Sequence, residues 1–100
     1  MSFQFISLKK SDKAPYKYTA IVKNKTTGRE NTINFGNVNY ENYTSGHKDE
    51  KRRDAYIARH KTRENWDASG ANTAGFWSYQ YLWRFKTKTE ALSSIKKMLS

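Results

Sequence analysis

Polar and apolar positions alternate over the first third of the chain. Phe3 and Phe5 flank Gln4, and Ile6 and Leu8 follow on the other side. From Tyr16 to Lys23, the side chains of Tyr16, Tyr18, Ala20 and Val22 alternate with those of Lys17, Thr19, Ile21 and Lys23. Asn31 to Gly36 repeats the pattern more briefly, with Ile33 and Phe35 sharing a face. A period of two in β-branched and aromatic residues predicts strands. The connections have turn composition: KKSDKAP ends in the only proline, which cannot donate to a ladder, and NKTTGRE supplies a glycine turn. The pattern predicts a three-stranded antiparallel meander. One face should be covered and the other wet and lysine-dotted, which also blunts the edges.

The period changes after Gly36. NVNYENYTSG reads as a loop whose two tyrosines, Tyr40 and Tyr43, fold back on the core. HKDEKRRDAYIARHKTRENW, His47 to Trp66, reads as a charged helix capped by Thr44 or Ser45. Asp49 and Glu50 fall in its first turn and Arg59, Lys61 and Arg63 near its end, each where the helix dipole favours that sign. Asp49 and Arg53 stand in i, i+4 relation, acid first. Ala55, Tyr56 and Ile57 are too few for a wide apolar stripe, while Arg52, Tyr56, His60 and Arg63 recur at helical spacing. This helix is expected on the surface, touching the domain by one narrow face.

DASGANTAG is a second loop. FWSYQYLWRF, Phe76 to Phe85, is ambiguous: alternation favours a strand, but its length and the following element favour a helix with two aromatic arcs. In TKTE, Thr87 and Glu90 form a capping box, and Leu92, Ile95, Met98 and Leu99 then repeat at helical spacing, with Lys96 and Lys97 pointing away. The expected fold is α+β: one domain, 1–100, with a three-stranded antiparallel sheet over 1–36 and a helical part over 37–100. About three helices form one layer on that sheet.

Composition sharpens this. Only 36% of residues are apolar, and 15% are aromatic, so large rings rather than aliphatics must build the core. Three Trp, seven Tyr and five Phe are more ring surface than so small an interior is expected to hide, and the surplus should face a partner. The chain has no cysteine, which excludes disulfides and Cys-based zinc and suits a reducing compartment. No apolar run is long enough to span a membrane. MSFQFISLKK shows neither a basic leader nor a small-residue cleavage site, so no signal peptide is expected. The net charge of +10 calls for an acidic partner. It divides into +4 over residues 1–46, +3 over 47–66 and +3 over 67–100, whereas a dedicated DNA reader concentrates its charge on one helix or tail.

Candidate chemistry is sparse. On one helix, His47 and His60 would stand roughly 20 Å apart at 1.5 Å per residue, too far to share an ion, so each is read as a surface or helix-end residue and no metal is expected. There is no glycine-rich phosphate loop, no GxSxG and no convergent carboxylate pair, so no catalytic residue or cofactor is assigned. Binding remains. Arg52, Arg53, Arg59 and Arg63 can line one helix face, with Trp66 at its end and Trp77 and Trp83 on the aromatic element. These seven are the candidate partner-binding residues. Phosphate contact with base stacking is one use of such a face, and protein docking is the other.

Several motifs between residues 36 and 85 occur in a recognisable order. They are Gly36 and Asn37, Tyr43 and Thr44, His47 to Asp49, Tyr56, Ile57, Arg59 and His60, Glu64 to Trp66, and Gly75 to Trp83. In this the chain resembles a family of small, basic, uncharacterised proteins of nucleocytoplasmic large DNA viruses, the giant viruses. The resemblance brings no activity. It implies a virus-encoded, packaged protein, located in the virion and in host cytoplasm during assembly, and it favours a helix over 76–85. In that setting the expected role is a non-enzymatic minor capsid protein. It would act as a cement or wedge on other virion proteins, the major capsid protein first, in an oligomeric assembly. The alternative is a nucleic-acid-binding virion protein that neutralises or organises the genome, and a host-directed regulatory binder comes third. Free basic tails are the usual device for neutralising DNA, and a terminal strand and a terminal capped helix are not tails.

Overall fold

The computed structural model describes residues 2–100, with the side chain of Ser45 left aside. Strands β1 (Phe3–Lys10), β2 (Tyr16–Asn24) and β3 (Glu30–Asn37) form one antiparallel sheet in the order β1-β2-β3. Helices α1 (Glu50–His60), α2 (Ala74–Trp77) and α3 (Lys88–Met98) follow. The architecture is α+β, a sheet followed by three helices, with a Cα radius of gyration of 13.0 Å.

The β2–β3 pairing follows the period-two pattern. Ala20 lies opposite Ile33 and Tyr18 opposite Phe35, and Ala20, Val22, Ile33 and Phe35 are all buried on one face. β1 departs from strict alternation. Its register against β2 shifts between Phe5 and Ser7, so that Phe5 faces Val22 and Leu8 faces Ala20. The extra residue of this bulge, Ile6, is 41% exposed. The slip brings Leu8 back to the side of Phe3 and Phe5, where all three join the core. The sequence reading had set Leu8 on the opposite face, because alternation alone carries no record of a bulge. β3 closes at Gly36, in the left-handed region at φ 74°, where an added Cβ would sit 3.1 Å from Leu82 Cδ1.

α2 runs directly into a π-helical segment, Ser78–Trp83, whose wide turn is closed by the Arg84 amide donating to the Tyr79 carbonyl at 2.9 Å. The aromatic stretch is therefore helical, as length and its neighbour favoured. Phe76, Trp77, Tyr81 and Leu82 face the sheet and pack with Ala91, Ile95 and Leu99 of the C-terminal segment. The Thr87 hydroxyl accepts from the Glu90 amide at 3.2 Å, one half of the expected capping box, and donates to the Glu90 carboxylate at 3.0 Å, so that carboxylate meets the cap's hydroxyl rather than its backbone amide. The Phe5 amide donates to the Leu99 carbonyl at 3.1 Å, tying the end of α3 to the bulge.

α1 is shorter than the charged stretch and starts later. Its cap is Asp49, whose carboxylate accepts from the Lys51 and Arg52 amides. Thr44 does not cap it: its hydroxyl donates to the Phe85 carbonyl at 2.6 Å from within the wide turn Tyr43–His47. The Ser45 side chain lies outside what is described. Of the two loop tyrosines, Tyr43 is buried and Tyr40 is 71% exposed. No residue of α1 enters the cluster on the sheet, so α1 lies outside the α2–α3 layer.

Candidate functional site

α1 meets the domain through the Tyr56 ring and the Arg53 guanidinium. The Tyr56 ring lies parallel to Trp83 at 4.4 Å between centroids and 4° between planes, and it stacks on His60 at 4.3 Å. The stack extends both ways. His47 packs on Trp83 at 5.5 Å, and Trp66 packs on Tyr79 at 3.8 Å. Tyr79 and Trp83, the rings of 76–85 that turn away from the sheet, are thus covered by the chain's own α1 and by Trp66 rather than left for a partner. Only Tyr16 and Tyr40 of the fifteen rings are exposed. The surplus of rings that the composition implied is spent internally, because α1 and the 61–67 turn form a second aromatic layer that a count of rings cannot show.

Within this stack the polar atoms of Glu64 and Trp66 are paired, whereas the buried His47 Nε2 has no hydrogen-bond partner among the described residues. Glu64 Oε2 meets His60 Nδ1 at 2.9 Å, and Glu64 Oε1 accepts from the Trp66 indole at 2.9 Å. The Trp66 carbonyl accepts from Gln80 Nε2 at 2.8 Å. Gly75 leaves room for this carboxylate, since a Cβ there would lie 2.9 Å from Glu64 Cδ. His47 Nδ1 accepts from the Asp49 amide at 2.9 Å, so its proton sits on Nε2. Both histidines are half-buried members of the stack; His60 is the helix-end residue expected, closing α1, and His47 lies before the helix. Burial, reinforced by the Glu64 carboxylate and opposed by Arg59, holds the Tyr56 phenol well above its ordinary pKa of 10.0.

Beside the stack a groove of about 850 Å³ runs between α1 and the loop that follows β3. Ala55, Leu82 and Trp83 give it an apolar floor, and Tyr40, Arg52 and Arg59 line it as well. Lys17 Nζ donates to the Tyr40 carbonyl and fixes that loop. Burial lowers the Lys17 pKa, against the pull of Glu41. Arg52 stands 3.8 Å from Glu41, both side chains more than half exposed. This lies beyond hydrogen-bond range, and an exposed contact of that kind is weak.

The seven candidate residues separate. Arg52, Arg59 and Arg63 are exposed on one side of α1 and the turn after it, and a guanidinium nitrogen of Arg63 donates to the Arg59 carbonyl at 3.1 Å. Arg53 is structural: its Nε donates to the Trp83 carbonyl at 3.1 Å and its guanidinium lies 5.4 Å from the Tyr43 ring centre, in place of the expected pair with Asp49. Trp77 is fully buried, its indole donating to the Ala71 carbonyl at 2.8 Å, and has no surface to offer a partner. Trp66 and Trp83 are half-buried in the stack, and Trp83 shows an edge to the groove. The reading from sequence missed Tyr40, Glu41, His60 and Glu64 as groove residues. The Glu64 spacing from His60, i to i+4, was the one visible signal.

Among the described residues no group of three or more His, Cys, Asp or Glu is placed to hold a metal ion, and no helix is long and apolar enough to cross a membrane. No curated protein and no solved structure matches the chain. A family model matches residues 6–60, the sheet from the bulge onward and the whole of α1, and leaves the aromatic segment and α3 outside. By that match the chain belongs to the family of unknown function DUF5754.

Proposed function

We propose that the chain is a non-enzymatic docking protein that binds acidic faces of partner proteins through the outer side of α1. The observation that carries this is the pairing of the cations there. Arg59 and Arg63 are exposed and meet no carboxylate within ion-pair distance among the described residues, and Arg52 has only its long contact with Glu41. Charges held ready and undercompensated beside an apolar groove favour a partner that brings the missing carboxylates. The His60–Glu64 pair supports a structural rather than a catalytic reading, since both carboxylate oxygens are occupied in holding the stack.

In the setting implied by the resemblance of residues 36–85, such a protein is a minor capsid component, wedged between or beneath major capsid subunits in an oligomeric assembly. The α1 cations, and not spare rings, support it. Location tests it. The reading expects the chain to stay with purified, genome-emptied particles and to cross-link from Lys51 of α1 or Lys61 just after it to the major capsid protein. A chain absent from particles, or released with the genome, ends the capsid reading.

One observation favours a second reading, binding of packaged nucleic acid. Among the described residues the Arg52–Glu41 contact is the only ion pair between a Lys or Arg and a carboxylate, in a chain of net charge +10. A filter-binding titration against arbitrary duplex DNA distinguishes the two. The docking reading expects weak binding at physiological salt, and tight binding with a steep salt slope would promote the alternative.

A further inference from the structure

We infer that the groove between α1 and the β3–α1 loop receives an extended acidic segment of a partner protein, one that spaces its carboxylates three residues apart with apolar side chains between them. The inference rests on the docking reading and names what the docking surface recognises.

Three features of the groove point to that occupant. Its apolar surface comes from the exposed Ala55 and the half-buried Trp83 above the buried Leu82, and its volume of about 850 Å³ exceeds what one side chain fills. Its α1 rim carries Arg52 and Arg59, seven residues or roughly 10 Å apart along the helix. Two carboxylates three residues apart on a polyproline-II segment project from the same side and span a similar distance, at roughly 3.1 Å per residue, with apolar side chains between them for the floor. The chain already seats one carboxylate at this rim. Glu41 rests 3.8 Å from Arg52 in an exposed contact that an incoming carboxylate can replace. Tyr40, 71% exposed and held through its carbonyl by Lys17, stands on the opposite rim with its ring free to cover a bound segment.

The same rim argues against nucleic acid in the groove. Glu41 and Glu64 interrupt the positive edge. Discrete carboxylates separated by apolar side chains fit such a pattern, whereas a continuous phosphate backbone meets repulsion along it.

The test uses the full chain as bait for a displayed library of random decapeptides, followed by anisotropy titration of the selected peptides. Three variants are compared: Ala55→Trp, which fills the groove from an exposed helix position without changing charge; Arg59→Glu; and Lys9/Lys10/Lys23→Glu, which lowers charge on the sheet. Circular dichroism and melting confirm that each is folded. The inference expects selected peptides rich in Asp or Glu interleaved with apolar residues. It expects Ala55→Trp and Arg59→Glu each to weaken binding about ten-fold or more, and the sheet variant to stay within about two-fold. Selection without acidic enrichment, or acidic peptides that bind Ala55→Trp as tightly as wild type, overturns it. If Arg59→Glu alone weakens binding, the groove assignment fails and docking on α1 stands. If neither variant does, both fail. Displacement of the peptides by oligothymidylate, itself weakened by Ala55→Trp, would assign the groove to nucleic acid and contradict the inference.

Discussion

Trp77 and Trp83 sit on the same aromatic segment and do different work. Trp77 is a core residue with its indole nitrogen satisfied, so Trp77→Ala should cost about 3–5 kcal/mol in urea unfolding, from lost contacts and an orphaned carbonyl at Ala71. Trp83 works through Tyr56. A double-mutant cycle on the pair should show a coupling of about 0.5–1.5 kcal/mol, the range of a stacked pair beyond its buried area. A coupling near zero would mean that α1 is held by something other than this stack. Tyr56 also sets a pH dependence. Its folded pKa, like that of Tyr81, is raised by burial above the ordinary 10.0. Below pH 10 both states keep the proton. Above it the unfolded state loses the proton first, so the unfolded state binds fewer protons and stability falls as pH rises. Lys17, lowered by burial, acts in the opposite direction. Urea midpoints measured upward from pH 9 should fall, and should fall less steeply in Tyr56→Phe. Identical slopes would contradict the burial assigned to Tyr56.

At the scale of elements, the strands were legible because a period of two survives in Tyr18, Ala20 and Val22 and in Ile33 and Phe35 whatever surrounds them. The capping box of α3 was legible because both of its members lie within one turn. What was not legible depended on distant groups. Thr44, Ser45 and Asp49 are all competent caps by type. Thr44 lies in the wide turn Tyr43–His47, held there by its bond to the Phe85 carbonyl far along the chain, and the helix begins only after Asp49. Asp49→Ala should therefore cost about 1 kcal/mol through fraying of α1. Thr44→Val should cost a similar amount through the loss of a buried hydrogen bond, while leaving the start of α1 intact. Thermal melts and amide exchange at Lys51 and Arg52 separate the two, since only Asp49→Ala should speed exchange there. The bulge at Ile6 and the second aromatic layer were hidden for the same reason: each is a fact about pairing between segments and leaves no local period.

For the whole molecule, the exposed Arg52, Arg59 and Arg63 were readable from helical spacing, and the groove beside them was not. Tyr40 and Glu41 lie in a loop whose position depends on Lys17 reaching its carbonyl from the sheet. Nearly all the rings are covered within the fold, and what remains for a partner is charge placed beside an apolar cleft. Net charge alone would draw any acidic partner to any face, and what distinguishes this account is that one face does the binding. The measurement that tests it most directly compares two variants of equal net charge, Arg52/Arg59/Arg63→Glu and Lys9/Lys10/Lys23→Glu, for binding to acidic peptides selected on the wild-type chain, at one fixed salt concentration. The account predicts a loss of about ten-fold or more for the first and about two-fold or less for the second. Equal losses from the two would show that the charge acts from everywhere on the surface, and would contradict a docking site on α1.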